Sequence, residues 1–158
     1  MLTAFTAKRI ALDVWHDIYL YHIEDKYMSI SVIKHDILSN MLIRKDISKT
    51  QYDLINKHCS CPLCAYYSVD NNSNFFESES CCSGKNMCPL ANKTGHRKHT
   101  KINSITVCFD KYMPFYILLN HFTDMTVEKR KLYVKRIIAR IEKWDISDLD
   151  NGHINEKL

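Results

Sequence analysis

The chain has 158 residues, 46% of them apolar, 25% charged and 11% aromatic, with a formal net charge of +4. That makeup suits one compact domain and excludes a disordered or collagen-like chain. The three glycines, Gly84, Gly95 and Gly152, lie too far apart to form a phosphate-wrapping loop, which argues against nucleotide hydrolysis and Rossmann chemistry, and no run of about 18 uncharged apolar residues occurs.

In chain order, residues 4 to 22 place Ile10, Ala11, Val14, Ile18 and Tyr21 at helical spacing, with Trp15 and His22 broadening the same side. Lys8, Arg9, Asp13 and Asp17 fall largely elsewhere, which predicts an amphipathic, core-facing helix. These charges also stand where a signal peptide would need an apolar run, so the expectation is a soluble, intracellular protein without a membrane partner. A second helix is predicted from Ile30 to Ile43, where Val32, Ile33, Ile37, Leu38, Met41 and Leu42 repeat in the same way. Ser48 is a candidate cap for a third, ending near His58.

Between Ala65 and Val107 the apolar pattern breaks down, and the stretch includes the polar run Asp70-Asn71-Asn72-Ser73-Asn74. Ordering such backbone costs about 1 to 2 kcal/mol per residue, more than its few apolar side chains offset. Something other than a core has to hold it. Helical character returns at Tyr112 to Phe122, with Pro114 suited to a first turn, and again from Thr126, an N-cap candidate with Glu128 behind it, to about Trp144. The expected class is mainly α: a single domain with a helical part over 1–58, an irregular, zinc-stabilised loop region with room for a short hairpin over 59–109, C-terminal helices over 110–145 and a flexible tail over 146–158.

Seven cysteines are many for a reduced compartment, and an odd number cannot all form disulfides, so metal ligation is the natural use. Cys61-Pro62-Leu63-Cys64 is a CxxC pair whose two intervening residues let both thiolates converge on one tetrahedral zinc at about 2.3 Å each. Cys81, Cys82 and Cys88 follow the polar run, and Cys108 precedes the returning helices. The favoured set is Cys61, Cys64 and Cys88 with either Cys82 or Cys108 as fourth, Cys59 and Cys81 being weaker candidates. The bland alternative is that several are small buried hydrophobes. A redox-active CxxC is disfavoured, because such sites want a strand before and a helix after the motif, and a polar loop is expected to follow here.

The order CPLC, then Cys88-Pro89-Leu90, then Cys108 with Tyr112 and Tyr116, then Thr126-Val-Glu-Lys-Arg-Lys leading an Ile-rich helix, resembles a family of small uncharacterised bacteriophage proteins. Ala11-Leu12-Asp13-Val14-Trp15 is similar to that family's opening helix. The chain departs where the family has a second CxxC before its Pro-Leu, here Cys82 followed after five residues by Cys88. The resemblance implies a virus-encoded zinc-binding accessory protein acting in the cytoplasm of a bacterial host cell. It implies no reaction.

Charge is distributed unevenly. Ser83 to Phe109 carries Lys85, Lys93, Arg97, Lys98 and Lys101 without an acidic residue. In the last helix, steps of about 100° put Val134, Ile137, Ile138, Ile141 and Trp144 on one face, with Lys129, Arg136, Arg140 and Lys143 in a stripe nearly opposite. Such a row fits a phosphate backbone, and equally the solvated outside of a packed helix. Tyr66, Tyr67, Phe75 and Phe76 are either exposed aromatics or a small core over the zinc.

Three functions follow in order: a non-catalytic zinc-binding module that inhibits or redirects a host protein or nucleoprotein complex, concerned with defence or transcription; a sequence-tolerant DNA or RNA binder using Lys98 and the stripe; and a zinc deaminase or nuclease. The last draws on His22-Ile23-Glu24 ahead of CPLC, although a deaminase pair has proline before its first cysteine, whereas Pro62 follows Cys61. Asp145, Asp148 and Asp150 lie on the expected tail, where a nuclease centre would lack preorganisation. A closed four-thiolate zinc leaves no open position for substrate, which favours the scaffold.

Overall fold

The computed structural model describes residues 2–58, 60–69, 88–90, 114–147 and 149. Among these the chain is mainly α and holds no strand. Helix α1 (Ala4–Asp17) runs into a π-helical turn (Ile18–His22) and is followed by α2 (Ile30–Ile43), α3 (Lys49–Lys57) and α4 (Pro62–Val69). After the central segment come α5 (Pro114–His121), a 3-10 turn (Phe122–Asp124) and α6 (Val127–Glu142).

The caps are local and written in the sequence. Thr3, Ser29, Ser48 and Thr126 each accept a backbone N–H three residues on, satisfying a donor that the first turn leaves orphaned. Ser48 and Gln51 complete a capping box: the Gln51 N–H donates to Ser48 Oγ at 3.1 Å, and the Ser48 N–H to Gln51 Oε1 at 2.9 Å.

One core joins the six helices among the described residues, with Ile10, Ile33, Ile55, Leu63, Leu118 and Ile137 buried, one from each. Each such side chain stabilises the fold by about 1.5 to 3 kcal/mol. Helix α1 packs on both α4 and α6, and α5 packs on α6. Lys8 Nζ donates to the carbonyls of Glu142 and Trp144 at 2.9 and 2.7 Å, placing a cation on the negative end of α6. At the other end of the pair, buried Arg130 donates to the carbonyls of Ile23, Asp25, Phe122 and Thr123, with its guanidinium over the Phe122 ring. Helices α1 and α6 are therefore antiparallel and pinned at both ends.

Four expectations change. Tyr21 is 75% exposed rather than core-facing. The wider π turn brings the fifth residue round, so buried Ile23 returns over Ile18 and Tyr21 is carried outward. Val32 is likewise exposed, because steps of about 100° put it on the face of α2 opposite Ile30, Ile33, Ile37 and Met41. Residues 62–69 form a helix where a loop is expected, because Pro62 fits a first turn and Leu63, Ala65, Tyr66 and Tyr67 give α4 a dense apolar surface. Tyr66 and Tyr67 are buried: their rings lie 5.0 Å apart, and each meets the Trp144 ring, at 5.9 and 6.0 Å. The beginning of the expected tail also packs down, with Ile146 and Leu149 against the core. The expected hairpin, Phe75 and Phe76 lie outside the described residues.

Candidate thiolate metal centre

The chain reverses between α3 and α4 within a few residues. Ser60 adopts φ 54°, a left-handed conformation that costs a non-glycine residue about 1 to 2 kcal/mol. Its hydroxyl donates to Asn56 Oδ1 at 3.2 Å, and the Cys61 N–H donates to the His58 carbonyl at 3.1 Å. This turn delivers Cys61 to the start of α4, where its carbonyl accepts the first helical bond, from Ala65 N–H at 3.0 Å.

Cys61 is thus the N-cap of α4, and Cys64 lies one turn in. The two thiols share a hydrogen bond, which with other influences pushes the Cys61 thiol down from the ordinary 9.0 to about 6. Burial works the other way. The charge of Lys34 and then the backbone N–H groups of Cys64 and Leu63 add to the lowering. The sulfur does what a serine or aspartate oxygen does at other helix starts, accepting orphaned N–H groups, and it is favoured as the anion.

Lys34 is the residue that sequence reasoning missed. It is 3% exposed, with Nζ 4.9 Å from the Phe115 ring centre and 5.9 Å from that of Trp15. Those two rings meet edge to face at 6.0 Å. Angular position could have exposed it: at steps of about 100°, Lys34 falls inside the arc occupied by Ile30, Ile33, Ile37, Leu38 and Met41. A cation on the apolar side of a helix has to meet π faces or an anion. An open cavity of about 320 Å3, lined by Ser31, Val32, His35 and Ser60, lies between the start of α2 and the turn that presents Cys61.

The structure brings Cys61 and Cys64 together and buries Cys88 in the core beside Leu90. Cys82, Cys108 and Lys98, with the weaker candidates Cys59 and Cys81, lie outside the described residues. Among those described, no three His, Cys, Asp or Glu side chains gather into a metal-holding group. His22 and exposed Glu24 therefore do not form the deaminase constellation with the pair. The donor chemistry of the pair still fits zinc: two thiols on one helical turn, one of them stabilised as the thiolate that ligation requires.

On α6, Lys129, Arg136 and Lys143 are exposed and Arg140 is half-buried. Arg130 is a core residue and contributes nothing to the surface charge. Among the described residues, no helix is long and apolar enough to cross a membrane. No protein-family model matches the chain, and no match is found among curated proteins or solved structures.

Proposed function

We propose that the protein is a non-catalytic binding module built on structural zinc, with Cys61 and Cys64 as the first pair of ligands and the remainder drawn from Cys82, Cys88 and Cys108. The observation that supports this is the hydrogen-bonded thiol pair in the first turn of α4, with Cys61 favoured as thiolate. Zinc at such a centre supplies about 10 to 16 kcal/mol of folding free energy, enough to order a central segment poor in apolar residues. A site closed by thiolates presents no open position, so the protein acts through its surfaces. The likeness to small phage proteins makes a host protein or nucleoprotein machine, in the cytoplasm of the infected cell, the partner it inhibits or redirects. Purified protein then carries stoichiometric zinc, loses thermal stability in a strong chelator and captures one stable host partner. Cys61→Ser and Cys64→Ser lower the zinc content. Metal-free protein whose melting ignores chelator would sink the proposal.

A second reading is favoured by one finding: a helix, and not a loop, follows CPLC. A dithiol at a helix start suits reversible thiol–disulfide exchange. Metal-free protein in which mild oxidation reversibly joins Cys61 to Cys64 selects this reading; zinc that protects both thiols from oxidation selects the first.

A further inference from the structure

The outer face of α6 is cationic, and its cations have no ionic partners among the described residues. Lys129, Lys131, Lys135, Arg136, Arg140 and Lys143 stand against only Glu128 and Glu142. The ion pairs found among the described residues lie elsewhere: Arg9 with Asp13, His35 with Asp36, Arg44 with Asp46 and Lys49 with Asp53. The acidic spacing explains the contrast. Neither glutamate of α6 has a cation four residues away, whereas Asp13 and Asp53 each do.

Two aromatic rings border this face. Lys135 Nζ sits over the Tyr19 ring at 5.5 Å, and the Arg136 guanidinium lies 5.3 Å from the centre of the Tyr133 ring. Both tyrosines are half-buried and keep part of their surface in solvent. At about 100° per residue, Lys135 and Tyr133 fall on opposite margins, with Arg136, Lys129 and Arg140 between them. The cationic row is thus flanked by two aromatic rings, Tyr133 from α6 itself and Tyr19 brought to it by the fold from the π turn.

We propose that the outer face of α6 binds single-stranded nucleic acid, its cations following the phosphates and Tyr19 and Tyr133 stacking bases at the two margins. Charge complementarity selects a polyanion, and the paired rings select one whose bases are unstacked and available. A duplex offers no free base face to either ring. An anionic membrane needs an apolar face toward lipid, and α6 has already spent its own on the core, leaving Leu132 as the one large aliphatic exposed on it. This inference goes beyond the scaffold reading and does not rest on it, since α6 is anchored by Arg130, by Lys8 and by packing on α1 and α5.

The test is fluorescence anisotropy of the full chain with a labelled oligouridine of about 20 nucleotides, titrated across a series of salt concentrations. A duplex of equal length and polyglutamate serve as competitors. The expected result is tight binding at low salt, weak competition from duplex and polyglutamate, and a log-log salt slope that flattens by about 0.7 for each cation removed. Lys129→Ala, Arg136→Ala, Arg140→Ala and Lys143→Ala are combined for that purpose at exposed or half-exposed positions. Tyr19→Leu with Tyr133→Leu should weaken binding about tenfold at unchanged slope, and Tyr→Phe at both should restore it. No binding at low salt, a slope unchanged in the quadruple variant, or duplex or polyglutamate competing as well as single strands overturns the proposal.

Discussion

Arg130 reaches back across the sequence to Ile23, donating from Nη1 to that residue's carbonyl at 2.9 Å. The same guanidinium serves the carbonyls of Asp25, Phe122 and Thr123, so one side chain fastens the end of the π turn and the 3-10 turn to α6. Its acceptors are neutral carbonyls, and the planar fork of donors is what lets one group meet several of them.

Replacing Arg130 with Met should therefore destabilise the fold by about 3 kcal/mol, because buried carbonyls lose their donors. Arg130→Lys keeps the charge but loses the fork, and most of that loss should remain. Urea unfolding of the two variants decides; a lysine variant as stable as the parent would show that charge alone matters.

Lys34→Met keeps an apolar stem of similar length between Trp15 and Phe115 and removes the charge that helps lower the Cys61 thiol. In metal-free, reduced protein the alkylation midpoint of Cys61 should move upward from about 6. Lys34→Ala should instead open a void and cost about 2 to 3 kcal/mol in stability. An unmoved midpoint in the methionine variant would disconnect Lys34 from the thiol.

The pH dependence of the same protein has a definite sign. Cys61 is lowered in the folded state, from 9.0 to about 6, so its contribution to stability is full above 9, declines as pH falls, and is gone below about 6. Metal-free wild type should gain stability over Cys61→Ser as pH rises through that interval. Parallel stability curves for the two proteins would refute it.

Helices α1, α2, α3, α5 and α6 and the caps Ser48 and Thr126 were legible because each rests on local signals: a hydroxyl ahead of a helical stretch, an apolar repeat, Pro114 in a first turn. Replacing Ser48 with Ala should cost about 1 kcal/mol by thermal melting, the worth of one lost cap. The thiol pair was legible as a chelating motif, but its place on a helix was not. Averaged over the central segment, few apolar residues hid the dense cluster Leu63, Ala65, Tyr66 and Tyr67, whose partner Trp144 is supplied from the end of the chain. Lys34 and Arg130 drew no reading as buried cations in the sequence. Their partners come from elements distant in sequence, which no local window contains.

The π turn has a last implication. Shortening it by one residue would leave an ordinary helical interval between Ile18 and Ile23, and both isoleucines would stay inside. The surplus residue therefore does nothing for the interior; what it supplies is the outward projection of Leu20 and Tyr21, 63% and 75% exposed. A single-residue deletion there should melt at nearly the parental temperature while reshaping the outside of the molecule, a separation of architecture from surface that few point substitutions offer.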